Sequence, residues 1–199
     1  MQTPQKVTKD YVKTLQAPTK DFMCPLAANK NHKIQFLTFR IRSIDESTKN
    51  SKVLFEVVRE AEKDEDLFFD DQYFEEEELR ELRTIRYNFG PDFLNHKTVG
   101  TFLEFKIGDN VPVRDFMIIE RHYFKGKLLE SYEFGFPFCI PGSTNSWEKI
   151  YNLPTLASDL KKEMVESPWE TVSDTFYFVG DELIMHNKAL YSYAPNHDI

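Results

Sequence analysis

From Lys33 onward, apolar and polar residues alternate with the period of a β-strand. Leu37, Phe39 and Ile41 alternate with Thr38, Arg40 and Arg42, the pattern of a half-buried strand. Residues 53–57 predict a second strand after a polar turn at 45–51. Ile85, Tyr87 and Phe89 alternate with Thr84, Arg86 and Asn88, and Leu103, Phe105 and Ile107 repeat the pattern before Gly108-Asp109-Asn110. Two long hairpins follow. One joins 115–124 to 128–140 across Lys125-Gly126-Lys127. The other joins 174–179 to 183–193 across Gly180-Asp181, a glycine-first pair suited to a primed turn. Between the hairpins, Leu156, Leu160 and Met164 recur at helical spacing, with Ser158 or Thr155 as a cap and Pro168 as a stop. Eight or nine strands with one short helix predict an all-β, immunoglobulin-like sandwich of antiparallel strands.

The ends of the pattern set the organisation. Residues 1–30 are weakly patterned and read as an N-terminal arm, partly flexible, with a short amphipathic helix at 7–15. Residues 31–199 read as the sandwich domain. The stretch 59–81 is acidic, with Phe68, Phe69, Tyr73 and Phe74 embedded. Charge runs of this kind usually lie on the surface, so it reads as a solvated insertion, a loop or a short helix.

Two strands carry unusual faces. Tyr132, Phe134, Phe136, Phe138 and Ile140 fall on one face of 128–140. They pack one sheet on the other, or they wall an elongated apolar pocket. Gly135 and Pro137 on the opposite face weaken or bend the strand. On the partner strand, Phe116, Ile118, Glu120, His122 and Phe124 share a face. A carboxylate and an imidazole inside an apolar row each cost a few kcal/mol, on the order of 2–7, if left unpaired. They pair with each other at the rim, or they meet a ligand. A zinc site needs three or four ligands, and His32, His96, His186 and His197 make no convincing spacing with this pair. There is no Gly-x-Ser-x-Gly elbow, phosphate loop or dinucleotide fingerprint. The reading is therefore a non-enzyme without metal or cofactor, against the alternative of acid–base chemistry by Glu120 and His122.

Composition narrows this further. The chain holds 18 Phe, 9 Tyr and 2 Trp against 7 Gly, enough aromatic volume to fill a large core or line a large cavity. A net charge of −8 argues against nucleic acid, whose binding rests on Lys and Arg, and against anionic membranes. Cys24 and Cys139 give no disulfide framework. No apolar run reaches the length of a bilayer span. The first residues lack the apolar core of a signal peptide, and Gln2 replaces the glycine that myristoylation needs. A cytosolic protein without stable membrane insertion is expected.

The segments Ile119-Glu120-Arg121-His122-Tyr123-Phe124, Phe138-Cys139-Ile140-Pro141, Ser173-Asp174 with Phe176-Tyr177-Phe178-Val179, and Met185-His186-Asn187-Lys188-Ala189 with Tyr191-Ser192-Tyr193 together resemble the uncoordinated (UNC, retinal protein 4) branch of the GMP phosphodiesterase delta-subunit family. The resemblance runs from about residue 19 to 195. It implies an immunoglobulin-like sandwich that holds a lipid between its sheets. It implies as cargo the myristoylated N-termini of G-protein α subunits, Src-type kinases or ciliary proteins. Release would fall to an ADP-ribosylation-factor-like small GTPase in its GTP form, in the cytoplasm, cilium or flagellum. By motif, Tyr87, Phe93, Glu120, His122 and Tyr177 would line the lipid channel or contact the cargo, with Phe39, Phe134, Phe136 and Phe138 as wall residues. Phe124-Lys125-Gly126 and Ser143-Thr144-Asn145 with Trp147 lean toward the delta branch, which implies prenylated cargo. Gly135 and Pro137 stand where the animal UNC pattern has histidine and glycine. A solid-cored immunoglobulin-like adaptor remains the other alternative.

Overall fold

The computed structural model describes residues 6–195 apart from 46, 49 and 68–70. Among the described residues, nine strands make two sheets. β1 (Gln35–Ile44), β2 (Ser51–Val58), β4 (Thr98–Lys106) and β7 (Thr144–Asn152) form a four-stranded sheet in the order β2-β1-β4-β7. β3 (Thr84–Asn88), β5 (Val113–Phe124), β6 (Lys127–Cys139), β8 (Thr171–Val179) and β9 (Glu182–Ser192) form a five-stranded sheet in the order β3-β9-β8-β5-β6. The sheets face each other as a sandwich. Both expected hairpins form. Phe124 pairs with Lys127, so the first turns on Lys125 and Gly126 alone, at φ +46° and +75°. Two left-handed residues in a row match the right-handed strand twist.

The inner faces bury two apolar clusters. One gathers Phe105, Phe116, Ile118 and Ile184, the other Tyr87, Phe124, Met164 and Tyr191. A third, on the outer face of the five-stranded sheet, joins Val12 of the arm to Ile119, Phe176 and Phe178. Val12 belongs to helix α1 (Lys9–Thr14), whose N-cap Thr8 accepts a hydrogen bond from the Tyr11 amide.

Three details differ from the sequence expectation. β3 runs parallel to β9, so the strands are not all antiparallel. Parallel neighbours need a long crossover, and most of the domain lies between these two. Among the described residues there are three α-helices: α1 falls where the arm was expected to hold one, and another forms in addition to the helix expected between the hairpins. α2 (Glu76–Leu82) forms inside the acidic stretch, held by a Glu75/Glu78 capping box and an Arg80–Glu76 ion pair. The embedded Phe68 and Phe69 lie outside the described residues. α3 (Ser158–Glu166) has Ala157 as its N-cap with no side-chain hydrogen bond, so neither Ser158 nor Thr155 caps it.

Candidate functional site

Between the sheets lies a partly open cavity of about 290 Å³. Its size sits near the lower end of small-molecule sites, roughly 300–1,000 Å³. Packed interiors hold few voids larger than a water molecule. Thr171, Ser173, Thr175 and Tyr177 of β8 all border it. Six residues of strand at ~3.3 Å each give it a length of roughly 20 Å. Members of both inner clusters form its walls. Strand alternation supplies them, because every second residue of a sandwich strand points inward.

At the polar end, Glu120 and His122 stand two residues apart on one face of β5. Their side chains meet, Oε1 to Nε2, at 2.8 Å. Both remain about a fifth to a quarter exposed. The His122 ring meets Tyr132 edge-on and lies beside Tyr191. Burial, and after it the charge of Glu120, pushes the phenols of Tyr87, Tyr151, Tyr177 and Tyr191 well above the usual tyrosine range. Burial, then Glu130 and Glu120, pushes Tyr132 up to about 12. These hydroxyls therefore stay protonated and able to donate. The Glu120 carboxylate thus shares the polar end of an apolar slot with neutral phenols close enough to feel its charge. Such an end can hold an amide: its N–H donates to the carboxylate, and its carbonyl accepts from a phenol.

Tyr87, Phe93, Glu120, His122, Tyr177, Phe39 and Phe134 all border this cavity. Phe136 and Phe138 do not. Phe136 packs against Phe105, Phe116 and Trp147 in the solid part of the core. Phe138 is 46% exposed, with the Arg114 guanidinium over its ring. The cause is a slip in alternation. Phe136 and Cys139 both point inward, as do Phe116 and Val113 opposite them. The slip falls at Pro137, which has no N–H for the ladder, and at Asp115, whose φ is +52°.

A family model described as GMP-PDE, delta subunit, matches residues 28–193. Protein unc-119 of Caenorhabditis briggsae is 43% identical over 188 residues, covering 94% of this chain and 80% of that protein. Protein unc-119 homolog B of Danio rerio is 44% identical over 187 residues, covering 94% and 74%. The Homo sapiens homolog B is 41% identical over 193 residues, covering 94% and 72%. The chain belongs to the GMP-PDE delta-subunit family, in its unc-119 branch.

The family match, residues 28–193, spans the cavity and its polar end alike. β7 was absent from the sequence expectation, and with it went Trp147, Lys149 and Tyr151, which form one edge of the cavity. Trp147 meets Phe134 at 5.2 Å and Tyr151 meets Tyr132 at 4.8 Å, closing the gap between β7 and β6. The period-two spacing of Asn145, Trp147, Lys149 and Tyr151 was the signal, weakened by a lysine on the inward face. Among the described residues, no three His, Cys, Asp or Glu side chains gather as a metal site. No described helix is long and apolar enough to cross a membrane.

Proposed function

We propose that this protein is a lipid-binding carrier. It buries the acyl chain of N-terminally myristoylated proteins between its sheets, and an ADP-ribosylation-factor-like GTPase in its GTP form releases them. Membership of the delta-subunit family supports the lipid-carrier reading. The observation that carries it is the apolar slot headed by Glu120 and neutral tyrosines. A myristoyl chain has roughly a dozen methylenes at about 0.8 kcal/mol each, on the order of 10 kcal/mol before ordering costs. A bilayer offers the same, so the acyl chain alone does not favour the carrier. The head group makes the difference. Glu120 accepts from the amide N–H of the acylated glycine, and Tyr87 or Tyr177 donates to the acyl carbonyl.

Titration with a fluorescent myristoyl-glycyl peptide tests this. Glu120→Gln should weaken binding about tenfold, the ordinary worth of a charge-assisted hydrogen bond. Unchanged affinity would overturn the assignment of Glu120. A farnesylated peptide run alongside separates acyl from prenyl cargo, and no thermal stabilisation by either would favour the adaptor reading. The GTPase and the lipid must prefer different cavity shapes, so each lowers the other's affinity. An edge strand is the docking element. Adding the GTP-loaded partner to the peptide complex should speed dissociation, and an unaltered off-rate removes this part of the proposal.

A further inference from the structure

The cavity contains a cation that the acyl-amide reading does not use. Lys149 reaches inward from β7, at the edge of the four-stranded sheet, and borders the cavity. Its ammonium lies 4.0 Å from the ring centroid of Phe134 on β6, at the edge of the other sheet. It also donates a long hydrogen bond, 3.4 Å, to the Glu133 carbonyl. Most other charged groups bordering the cavity have partners, Lys188 among them, which holds Asp174 at 2.6 Å. His122 holds Glu120 at 2.8 Å, and Glu130 accepts from the Ser131 amide. Arg83 is turned away, onto the carbonyls of His186 and Cys24. Arg59 borders the cavity too, but it is exposed and keeps its water. Lys149 is therefore the cation best placed to meet a ligand.

An ammonium drawn out of water onto an aromatic face is stabilised by the ring quadrupole, by about 0.5–2 kcal/mol. That does not replace the hydration that a partly covered ammonium loses at the cavity edge. A ligand anion does. The nearby charge of Glu120, which acts on Lys149, limits how much negative charge fits there. It disfavours a doubly charged phosphate and tolerates a single carboxylate. Because Lys149 and Glu120 feel each other's charge, a ligand head that reaches one is near the other.

Resting on the acyl-carrier reading, we propose that the cavity prefers ligands whose head bears a carboxylate, and that Lys149 recognises it. Two sources share this chemistry. One is a free fatty acid. The other is an acylated peptide with an acidic residue just behind the acyl-glycine.

Competition against a fluorescent neutral myristoyl-glycyl peptide tests the proposal. One arm compares myristic acid with its methyl ester. The other compares acyl-peptides that differ only by Glu or Gln at the second position, directly after the acyl-glycine. The carboxylate member of at least one pair should bind about tenfold tighter, and the pair that responds identifies the source. Lys149→Gln should bring that ratio close to one, and Lys149→Arg should keep most of it. Because the readout is a ratio within each variant, general loosening of the cavity does not imitate it. If the neutral peptide binds but neither pair shows a preference, or if Lys149→Gln retains it, the Lys149 proposal falls alone. If no acyl ligand binds the parent protein, the carrier reading falls and takes this proposal with it.

Discussion

Replacing Asp174 by Asn tests the polar network beneath the arm. The Asp174 carboxylate is fully buried on the outer face of β8. It accepts from His186 Nε2 at 3.1 Å, Lys188 Nζ at 2.6 Å, the Thr19 amide at 2.7 Å and the Thr19 hydroxyl at 3.3 Å. Burial raises its pKa, but the His186 hydrogen bond and the Lys188 charge outweigh that and hold it below the usual carboxylate value. Asn keeps the shape, removes the charge and turns one acceptor into a donor. Lys188, whose side chain is 14% exposed, then loses its counterion. Breaking a buried pair by removing one partner costs roughly 3–5 kcal/mol. The lower end applies, because Lys188 still donates to the Thr19 carbonyl at 2.6 Å. For a protein of this size about 1 kcal/mol moves Tm by roughly 2–4 °C, so a fall on the order of 10 °C is expected. Circular dichroism melts at neutral pH measure it. Hydrogen exchange should accelerate at the Thr19 and Met23 amides, whose acceptors are Asp174 and His186. A Tm within about 2 °C of the parent, with exchange at those amides unchanged, would refute the reasoning.

The same network sets the acid response. Burial, opposed by Asp174, pulls His186 below the ordinary histidine value of 6.5, so the unfolded chain takes the proton more readily. Stability is then full above about pH 6.5 and declines below it, and Asp174 adds loss below its usual 3.8. The urea midpoint should fall between pH 7.5 and 5, and less steeply in His186→Gln. His96, also lowered by burial, contributes equally to both proteins, and identical slopes would contradict the His186 assignment. Met164→Ala, at a 2% exposed residue of α3 bordering the cavity, should cost about 2 kcal/mol by urea titration and shift acyl preference toward longer chains; an unmoved chain-length optimum would show that this wall does not set it. Gly108→Ala should cost roughly 1–3 kcal/mol, because the new Cβ would stand 2.8 Å from the His32 carbonyl oxygen, and a neutral result would mean the loop gives way freely.

How much of this the sequence carried depended on whether a feature is local in the chain. Glu120 and His122 were legible because two residues on one strand share a face, and their contact follows from that spacing alone. The Asp174–His186–Lys188 network was not. Its members sit on two strands, and their Thr19 and Met23 partners lie far back in the arm, so neither spacing nor alternation joins them. β3 beside β9 was hidden for the same reason, since parallel pairing leaves no turn to read. The error over Phe136 and Phe138 has a different origin. Alternation assigns a residue to a face but says nothing of its position along the slot, and it holds only while the ladder is regular. Pro137 lay in plain view as a residue that breaks a ladder. Carrying the count across it unchanged put Phe138 inside. Moving the count by one at that proline points Cys139 inward and Phe138 to solvent, the arrangement found, with Cys139 1% exposed. A proline in a strand that otherwise alternates is therefore best read as the place where the inward face is re-indexed, and the aromatic row of a cavity wall ends there.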